Sequence, residues 1–542
     1  MTSVTSMSTE TTPPTADPVG GYDSARRSVG GVVRTHAIER PGAVALRFGD
    51  LTTTWAEHYE RAKRAASALV GSGVGSQDHV AFIDKNGVEF FEVLFGCGLA
   101  NAIDVAVNWR LAPPEILYTV NDATAKVLVV GPDFFHAVEQ IEKDLTTVTK
   151  IVAIGEHPRW ESFEDWLAAA PAVDPHVPTE LLDVAIQLYT SGTTGLPKGV
   201  MLSNKNLFTL LDKVAASWGF GLAETNLVCM PLFHIGGAGW ALAGMYNGCK
   251  SVLVREFIPN AVLDTLTSEG VTTALFVPAM LGFLSMVPGA ADRTYPIKRI
   301  VYGAAPITDE TLLAAMRTFK CMFFQVYGMT ETTGGFTQLD DADHDPNGPR
   351  AHLLRSAGKA SAWVEMKIMD LENDFECASG DVGEVWTRSD QNMLGYWAKP
   401  EETAKTLLPD GWLRTGDAGY LDEEGFLFLT DRVKDMIVSG GENIYPAEVE
   451  NAIASHPAVA EVGVIGVPSE RWGETVKAIV VKRPGMDVTA PEIIAFAKER
   501  LASYKCPTSV DFIDVLPRNP SGKVLKKDLR EPFWAGHPRR VN

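Results

Sequence analysis

The sequence predicts an α/β fold, with a large multi-layer N-terminal domain of mostly parallel sheets and a small α+β domain at the C-terminus. Three observations support this. The chain has 542 residues, enough for about two to four domains of ordinary size. Helical and strand-like patterns alternate through most of its length, and the pattern changes after Arg432.

Taken in order, residues 57–70 carry Tyr59, Ala62, Ala66 and Leu69 on a helical period and end at Gly71, a helix-stop signal. Residues 79–83 read as a strand, 88–99 as a helix, and 103–107 and 127–130 as strands. Such alternation argues for helices layered on largely parallel sheets. After Arg432, residues 446–455 read as a helix with Pro446 at its start. Strands follow at 459–467 and 476–481, a helix at 491–501 and a last strand at 510–515. The expected division is therefore a tail at 1–20, a domain at 21–432 and a compact unit at 433–542.

Composition limits the function. Hydrophobic residues make up 46% and charged residues 21%, a mix that can bury a sizeable core and excludes wholesale disorder. A net charge of −20 excludes a general nucleic-acid scaffold, because phosphate backbones are held by an excess of Lys and Arg. Small molecules and proteins are the better partners. From Val433 onward stand 15 of the 48 basic residues and 14 of the 68 acidic ones, so a nearly neutral unit adjoins an acidic body. Lysines on a neutral lid suit a polyanionic ligand; a solvated mixed-charge surface explains the same counts.

The six cysteines (Cys97, Cys229, Cys249, Cys321, Cys377, Cys506) form no CxxC pair, so neither a zinc ribbon nor a disulfide scaffold is indicated, and a reduced cytoplasmic setting fits. No run approaches about 18 apolar residues; even the stretch 93–107 contains Asn101 and Asp104. No transmembrane segment is expected. Residues 1–20 are rich in Thr, Ser and Pro, lack Lys and Arg and have no apolar core, which reads as a disordered tail and not as a targeting peptide.

The most informative segment runs Tyr189-Thr190-Ser191-Gly192-Thr193-Thr194-Gly195-Leu196-Pro197-Lys198. An apolar strand-like run empties into a loop of glycines and hydroxyls closed by a lysine. Glycines let backbone N–H groups turn inward, hydroxyls add donors and Lys198 adds a positive charge, which together make a phosphate cradle. The spacing is not that of a Walker A loop. Gly and Ser alone would read as a flexible surface loop.

This loop resembles the signature of the adenylate-forming enzymes: acyl- and aryl-CoA synthetases, firefly luciferase and the adenylation domains of peptide synthetases. Further matches follow in the family's order. They are Pro231-Leu232-Phe233-His234, Tyr302-Gly303-Ala304-Ala305-Pro306 and Val326-Tyr327-Gly328-Met329-Thr330-Glu331. After them come the run from Gly411 to Asp417, Asp431-Arg432-Val433-Lys434-Asp435, Gly440-Gly441-Glu442-Asn443 and the turn from Pro517 to Lys523. The resemblance extends from about residue 186 to 530, and the fatty-acid–CoA ligases are its nearest branch.

The resemblance implies the cofactors ATP, Mg²⁺ and CoA and a role for each motif. Tyr327 would lie against adenine, Thr330 at the α-phosphate and Glu331 on the metal, with Thr194 as a second metal ligand. The nucleotide would also meet Thr190, Ser191, Gly192, Thr193, Gly195, Lys198, Gly303, Ala304, Ala305, Pro306, Gly328 and Met329. Asp417 and Arg432 would hold the ribose; on their own they read as a turn cap and a surface charge. Lys523, from the small domain, would neutralise charge as the acyl-adenylate forms, a choice over Lys526 and Lys527 that rests on the motif match.

The implied chemistry has two steps. A carboxylate attacks the α-phosphate of ATP, and a thiol then attacks the resulting acyl-AMP. Lys523 serves the first step and leaves for the second, so the small domain swings about a hinge at Lys434. Gly440, Gly441 and Glu442 then face the site, where glycines permit the close approach of a pantetheine arm.

Amino-acid-activating relatives carry an Asp after Phe233 to neutralise an amine; this chain has His234, so an uncharged acyl or aryl acid is favoured. His234 is expected at the junction of acyl carboxyl and thiol channel. Gly236, Gly237, Gly303, Gly328 and Gly334 leave room for a substrate chain, with Trp240 and Phe276 as pocket walls, although helix packing explains glycines equally well. A medium- or long-chain fatty acid fits this better than a flat ring. The alternatives are an aryl-acid (benzoate- or cinnamate-type) CoA ligase and a catalytically inactive nucleotide-binding homologue. No carrier-serine motif is evident, so free CoA is the expected acceptor; homodimer formation and peripheral membrane contact are left open.

Overall fold

The computed structural model describes residues 26–190, 196–371, 373, 375–432, 435–439, 442–469, 471–518 and 524–535. The expected tail at 1–20, the loop residues Ser191, Gly192, Thr193, Thr194 and Gly195, and Lys434, Gly440, Gly441 and Lys523 lie outside the described residues.

Two large sheets dominate the N-terminal part. One has eight strands in the order Gly395–Tyr396, Lys198–Ser203, Val184–Thr190, Ile103–Ala106, His79–Ile83, Val127–Val130, Lys150–Ala153 and Glu161–Ser162. It is parallel from Val184–Thr190 onward and antiparallel at the edge that carries Lys198–Ser203. The other has nine strands, of which Val44–Phe48, Lys250–Leu253, Thr225–Val228, Thr273–Phe276, Arg299–Gly303 and Met322–Met329 run parallel.

Helices fill the space between these sheets. Val29–Glu39, Trp55–Gly71, Val88–Ala100 and Ile235–Tyr246 share one hydrophobic core with Phe82, Val127 and Leu188 of the first sheet and Leu46, Val228 and Val301 of the second. The helix read at 57–70 starts two residues early because Thr54 caps it: Thr54 Oγ1 accepts from Glu57 N, and Glu57 Oε2 accepts from Thr54 N.

A third sheet departs from the parallel expectation. Glu365–Met369, Gly383–Arg388, Trp412–Leu421 and Leu427–Arg432 pair antiparallel throughout. The connection at 422–426 shows why. Asp422 Oδ1 accepts from the backbone N–H of Glu424 and Phe426, closing a turn too short for the crossover that parallel strands require.

The last unit is α+β as expected. Glu442–Ile444, Ile437–Ser439, Gly473–Lys482 and Val459–Ser469 form a sheet to which Ser509–Phe512 adds in parallel. Helices Pro446–Ala454 and Ala490–Lys498 cover it with Val449, Ile453 and Ile493. Arg483 bridges to Glu310 of the N-terminal part at 3.4 Å. Among the described residues no helix is long and apolar enough to cross a membrane.

Candidate active site

The strand Val184–Thr190 delivers Thr190 to the mouth of the signature loop, and its antiparallel neighbour starts at Lys198, directly opposite in register. Thr190 Oγ1 donates to Glu331 Oε1 at 3.3 Å. Glu331 is buried on the short turn Thr330–Thr332 that follows the strand Met322–Met329. A second hydroxyl reaches the same oxygen: Tyr396 donates to Glu331 Oε1 at 2.9 Å. Burial, and then the neighbouring Glu331 charge, push the Tyr396 phenol above its ordinary range, so it remains a donor.

Lys198 is buried, pairs with Glu402 at 2.5 Å and stands 4.9 Å from the centre of the Tyr396 ring. The hydrogen bond from Lys198, reinforced by Lys405, holds the Glu402 carboxyl down at about 2. Sequence reasoning passed over both Tyr396 and Glu402. Their segment is set beside Lys198 and Glu331 by the pairing of Gly395–Tyr396 with Val200 and Met201.

Tyr327 is on the same strand as Met329. Its hydroxyl donates to Asp417 Oδ2 at 2.7 Å, and its ring packs on Phe336. Asp417 lies opposite Arg432 in the antiparallel pairing of Trp412–Leu421 with Leu427–Arg432. The three residues expected around the nucleoside therefore come together. The turn after Arg299–Gly303 is adjacent, with Ala304 at φ +67 and exposed, Ala305 half-buried and Pro306 exposed. Strand pairing sets Gly303 beside Val326.

His234 caps the helix Ile235–Tyr246, is half-buried and has its ring 4.3 Å from that of Phe233. The candidate pocket glycines divide into two groups. A Cβ on Gly237, Gly303 or Gly328 would come within 2.0, 2.1 or 1.8 Å of the backbone oxygens of Pro231, Val326 and Gly334, so close backbone packing explains these three. At Gly236 the nearest atoms are Leu275 Cδ2 at 3.7 Å and Met230 Cε at 3.8 Å, and at Gly334 they are Leu210 Cδ2 at 3.7 Å and Ile235 Cγ1 at 3.8 Å.

Trp240 and Phe276, expected as walls, are core side chains instead. The Trp240 indole donates to Leu227 O and its ring packs against Trp218 and Phe220. Phe276 is fully buried with Leu227, Val252 and Ile300. Alternation along a strand gives the reason: Leu275, one position earlier, faces Gly236, which turns Phe276 to the other side.

The donor set suits magnesium. Thr190 and Glu331 offer hard oxygens, and no cluster of three His, Cys, Asp or Glu occurs among the described residues. Magnesium takes one or two carboxylates plus phosphates and does not need an all-protein cage.

The AMP-binding enzyme profile matches residues 33–397, and that of the AMP-binding enzyme C-terminal domain matches 448–523. A fatty acid–[acyl-carrier-protein] ligase of Streptomyces coeruleorubidus is 39% identical over 94% of this chain and 96% of its own length. A feruloyl-CoA synthase of an Amycolatopsis species is 38% identical over 91% of this chain and 96% of its own. Among solved structures, ATP-bound MatB from Rhodopseudomonas palustris superposes with a TM-score of 0.86 at 28% identity, over 95% of this chain and all of that one.

Proposed function

Because the chain belongs to the AMP-binding enzyme family and is an AMP-forming acid–thiol ligase, we propose that it activates a medium- or long-chain fatty acid as acyl-AMP and passes the acyl group to CoA. Pyrophosphate leaves in the first step and AMP in the second. The observation that carries the choice of acid is that Gly236 and Gly334, the two candidate glycines not held by backbone packing, have only apolar side-chain atoms of Met230, Leu275, Leu210 and Ile235 as nearest neighbours of a Cβ. An alkyl chain fits such a lining. Six free thiols support a reducing, cytoplasmic setting.

In this reading Thr190, Lys198 and the loop 191–195 hold the phosphates, while Tyr327, Asp417 and Arg432 hold the nucleoside. Glu331 and Thr194 would bind magnesium, which supplies charge neutralisation at the phosphate oxygens. Glu331 is kept aimed by the hydroxyls of Thr190 and Tyr396. His234 sets the acid's carboxylate in line with the α-phosphate, and Lys523 neutralises the charge that develops there. The unit from 433 onward then turns about Lys434 and brings Gly440, Gly441 and Glu442 to the thiol.

The feruloyl-CoA relative supports an aryl acid as a second reading, and the carrier-protein relative supports a protein-bound thiol as the acceptor. One experiment separates these: mass spectrometry of products from the purified chain with ATP, Mg²⁺ and a mixture of C2 to C18 fatty acids, benzoates and cinnamates, with CoA, with a phosphopantetheinylated carrier or with neither. A CoA-dependent fatty acyl series with AMP is expected. Cinnamoyl-CoA outcompeting octanoyl- and palmitoyl-CoA would overturn the acid. Thioester on the carrier alone would overturn the acceptor.

A further inference from the structure

Behind the Glu331 turn lies a fully buried amide that the reaction scheme does not use. Gln391 Nε2 donates to the carbonyl of Thr332 at 2.8 Å and to that of Gly335 at 3.2 Å. Its Oε1 accepts the indole N–H of Trp363 at 2.6 Å. Its backbone carbonyl accepts from Thr333 Oγ1 at 2.5 Å. Two residues on, the Met393 N–H donates to Glu331 O at 2.8 Å.

The chemistry of this arrangement is one-way. Backbone carbonyls only accept and an indole N–H only donates, so the amide orientation is fixed at both ends. Glutamate would set a carboxylate against two carbonyl oxygens, and asparagine is one methylene short.

The turn so held is unusual. Thr333 is β-branched yet has φ +55, and Gly334 follows at φ +111. A β-branched residue in the left-handed region persists only where its surroundings over-determine it, and such positions cluster at functional sites. Two residues before Thr333 stands Glu331, and immediately after it stands Gly334, one of the two candidate acyl-side glycines.

We infer that Gln391 is a positioning residue for adenylation: it latches the 330–335 turn, sets the Glu331 carboxylate at the metal and phosphate side and is itself held by Trp363. This rests on the proposed role of Glu331 in binding magnesium.

The test uses the full chain with Gln391→Met and Trp363→Phe. Amide hydrogen exchange of the peptide covering 330–335, measured without ligands, reads the latch. The Mg²⁺ concentration for half-maximal pyrophosphate release, at saturating ATP and acid, reads the consequence for Glu331. Thioester formation from supplied acyl-AMP and CoA is the comparison.

Gln391→Met should speed exchange in the turn by about five- to thirtyfold, the scale of one to two lost hydrogen bonds. It should also raise the Mg²⁺ requirement several-fold and leave the second half-reaction within about threefold. Trp363→Phe, which removes one donor and keeps an aromatic ring, should move the same readings less, and it carries the test if Gln391→Met does not fold. Unchanged exchange overturns the latch. Equal losses in both half-reactions with an unchanged Mg²⁺ titration overturn the positioning role and leave a structural one. A Glu331→Gln control that titrates like the parent overturns the metal assignment instead, whatever the exchange shows.

Discussion

Tyr396 donates its phenolic hydrogen to Glu331 Oε1 at 2.9 Å across 65 positions of sequence. With the Thr190 hydroxyl on the same oxygen, the carboxylate has little freedom to turn. A hydrogen bond to a buried charge contributes about 1.5–3 kcal/mol. Tyr396→Phe should therefore lower kcat/KM for pyrophosphate release by about tenfold to a hundredfold, with thioester formation from supplied acyl-AMP nearly unchanged. Equal loss in the two half-reactions would remove Tyr396 from the metal side of the site.

The Lys198–Glu402 pair gives a pH signature. The Glu402 carboxyl is held at about 2 against an ordinary value of 4.5. A carboxyl depressed in the folded state stabilises it fully above the unfolded value and ceases to do so as pH falls through the folded one. The melting-temperature difference between the parent and Glu402→Gln should accordingly be largest above pH 5 and shrink steadily towards pH 3. A difference that stays constant over that range would mean that the pair adds nothing through charge.

Much of the site was legible because each motif is a local string. Thr190 and Lys198 flank one loop, Tyr327 and Glu331 share one strand end, and the strands read at 79–83 and 127–130 occur as read. Tyr396, Glu402 and Gln391 were not legible, since their partners lie 65, 204 and 59 positions away and only the folded chain brings them together. Trp240 and Phe276 were misplaced for a different reason. Residue type announces an apolar side chain but not which face of a helix or strand it occupies. The antiparallel sheet was missed because its strands, Glu365 to Arg432, fall within the stretch read as alternating, where short hairpin turns and not helical crossovers join Trp412–Leu421 to Leu427–Arg432.

Asp104 is the clearest local conflict in the fold. It sits between Val80 and Ile186 in the parallel sheet, fully buried, with neither carboxyl oxygen hydrogen-bonded. Burial pushes it up to about 8 from an ordinary 3.8. Between those values the folded chain keeps a proton that the unfolded chain has lost, so stability falls as pH rises. Asp104→Asn removes the titration and keeps the shape. The variant should gain on the parent progressively from pH 4 to pH 8, by several kcal/mol in total on the scale of ~1.4 kcal/mol per pH unit. Parallel stability curves from denaturant titrations at pH 5, 6.5 and 8 would show that Asp104 is ionised in the fold.

Gly236 and Gly237 are neighbours in sequence with opposite expectations. A methyl on Gly237 meets Pro231 O at 2.0 Å and Pro231 C at 2.6 Å, which are backbone atoms and cannot swing aside. Gly237→Ala should therefore destabilise the chain by about 1–3 kcal/mol or more for reasons unrelated to substrate. A Cβ on Gly236 comes no nearer than ordinary contact with Leu275 Cδ2 and Met230 Cε, and replacing a helical glycine removes a cost of up to about 1 kcal/mol. Gly236→Val should keep or raise the melting temperature while moving the acyl preference towards shorter acids by about tenfold or more, since one excluded methylene accounts for about 1–3 kcal/mol. Product ratios from competing octanoate and palmitate decide it. An unchanged ratio in a stable Gly236→Val variant would place the acyl chain elsewhere and leave Gly236 with no part in acyl recognition.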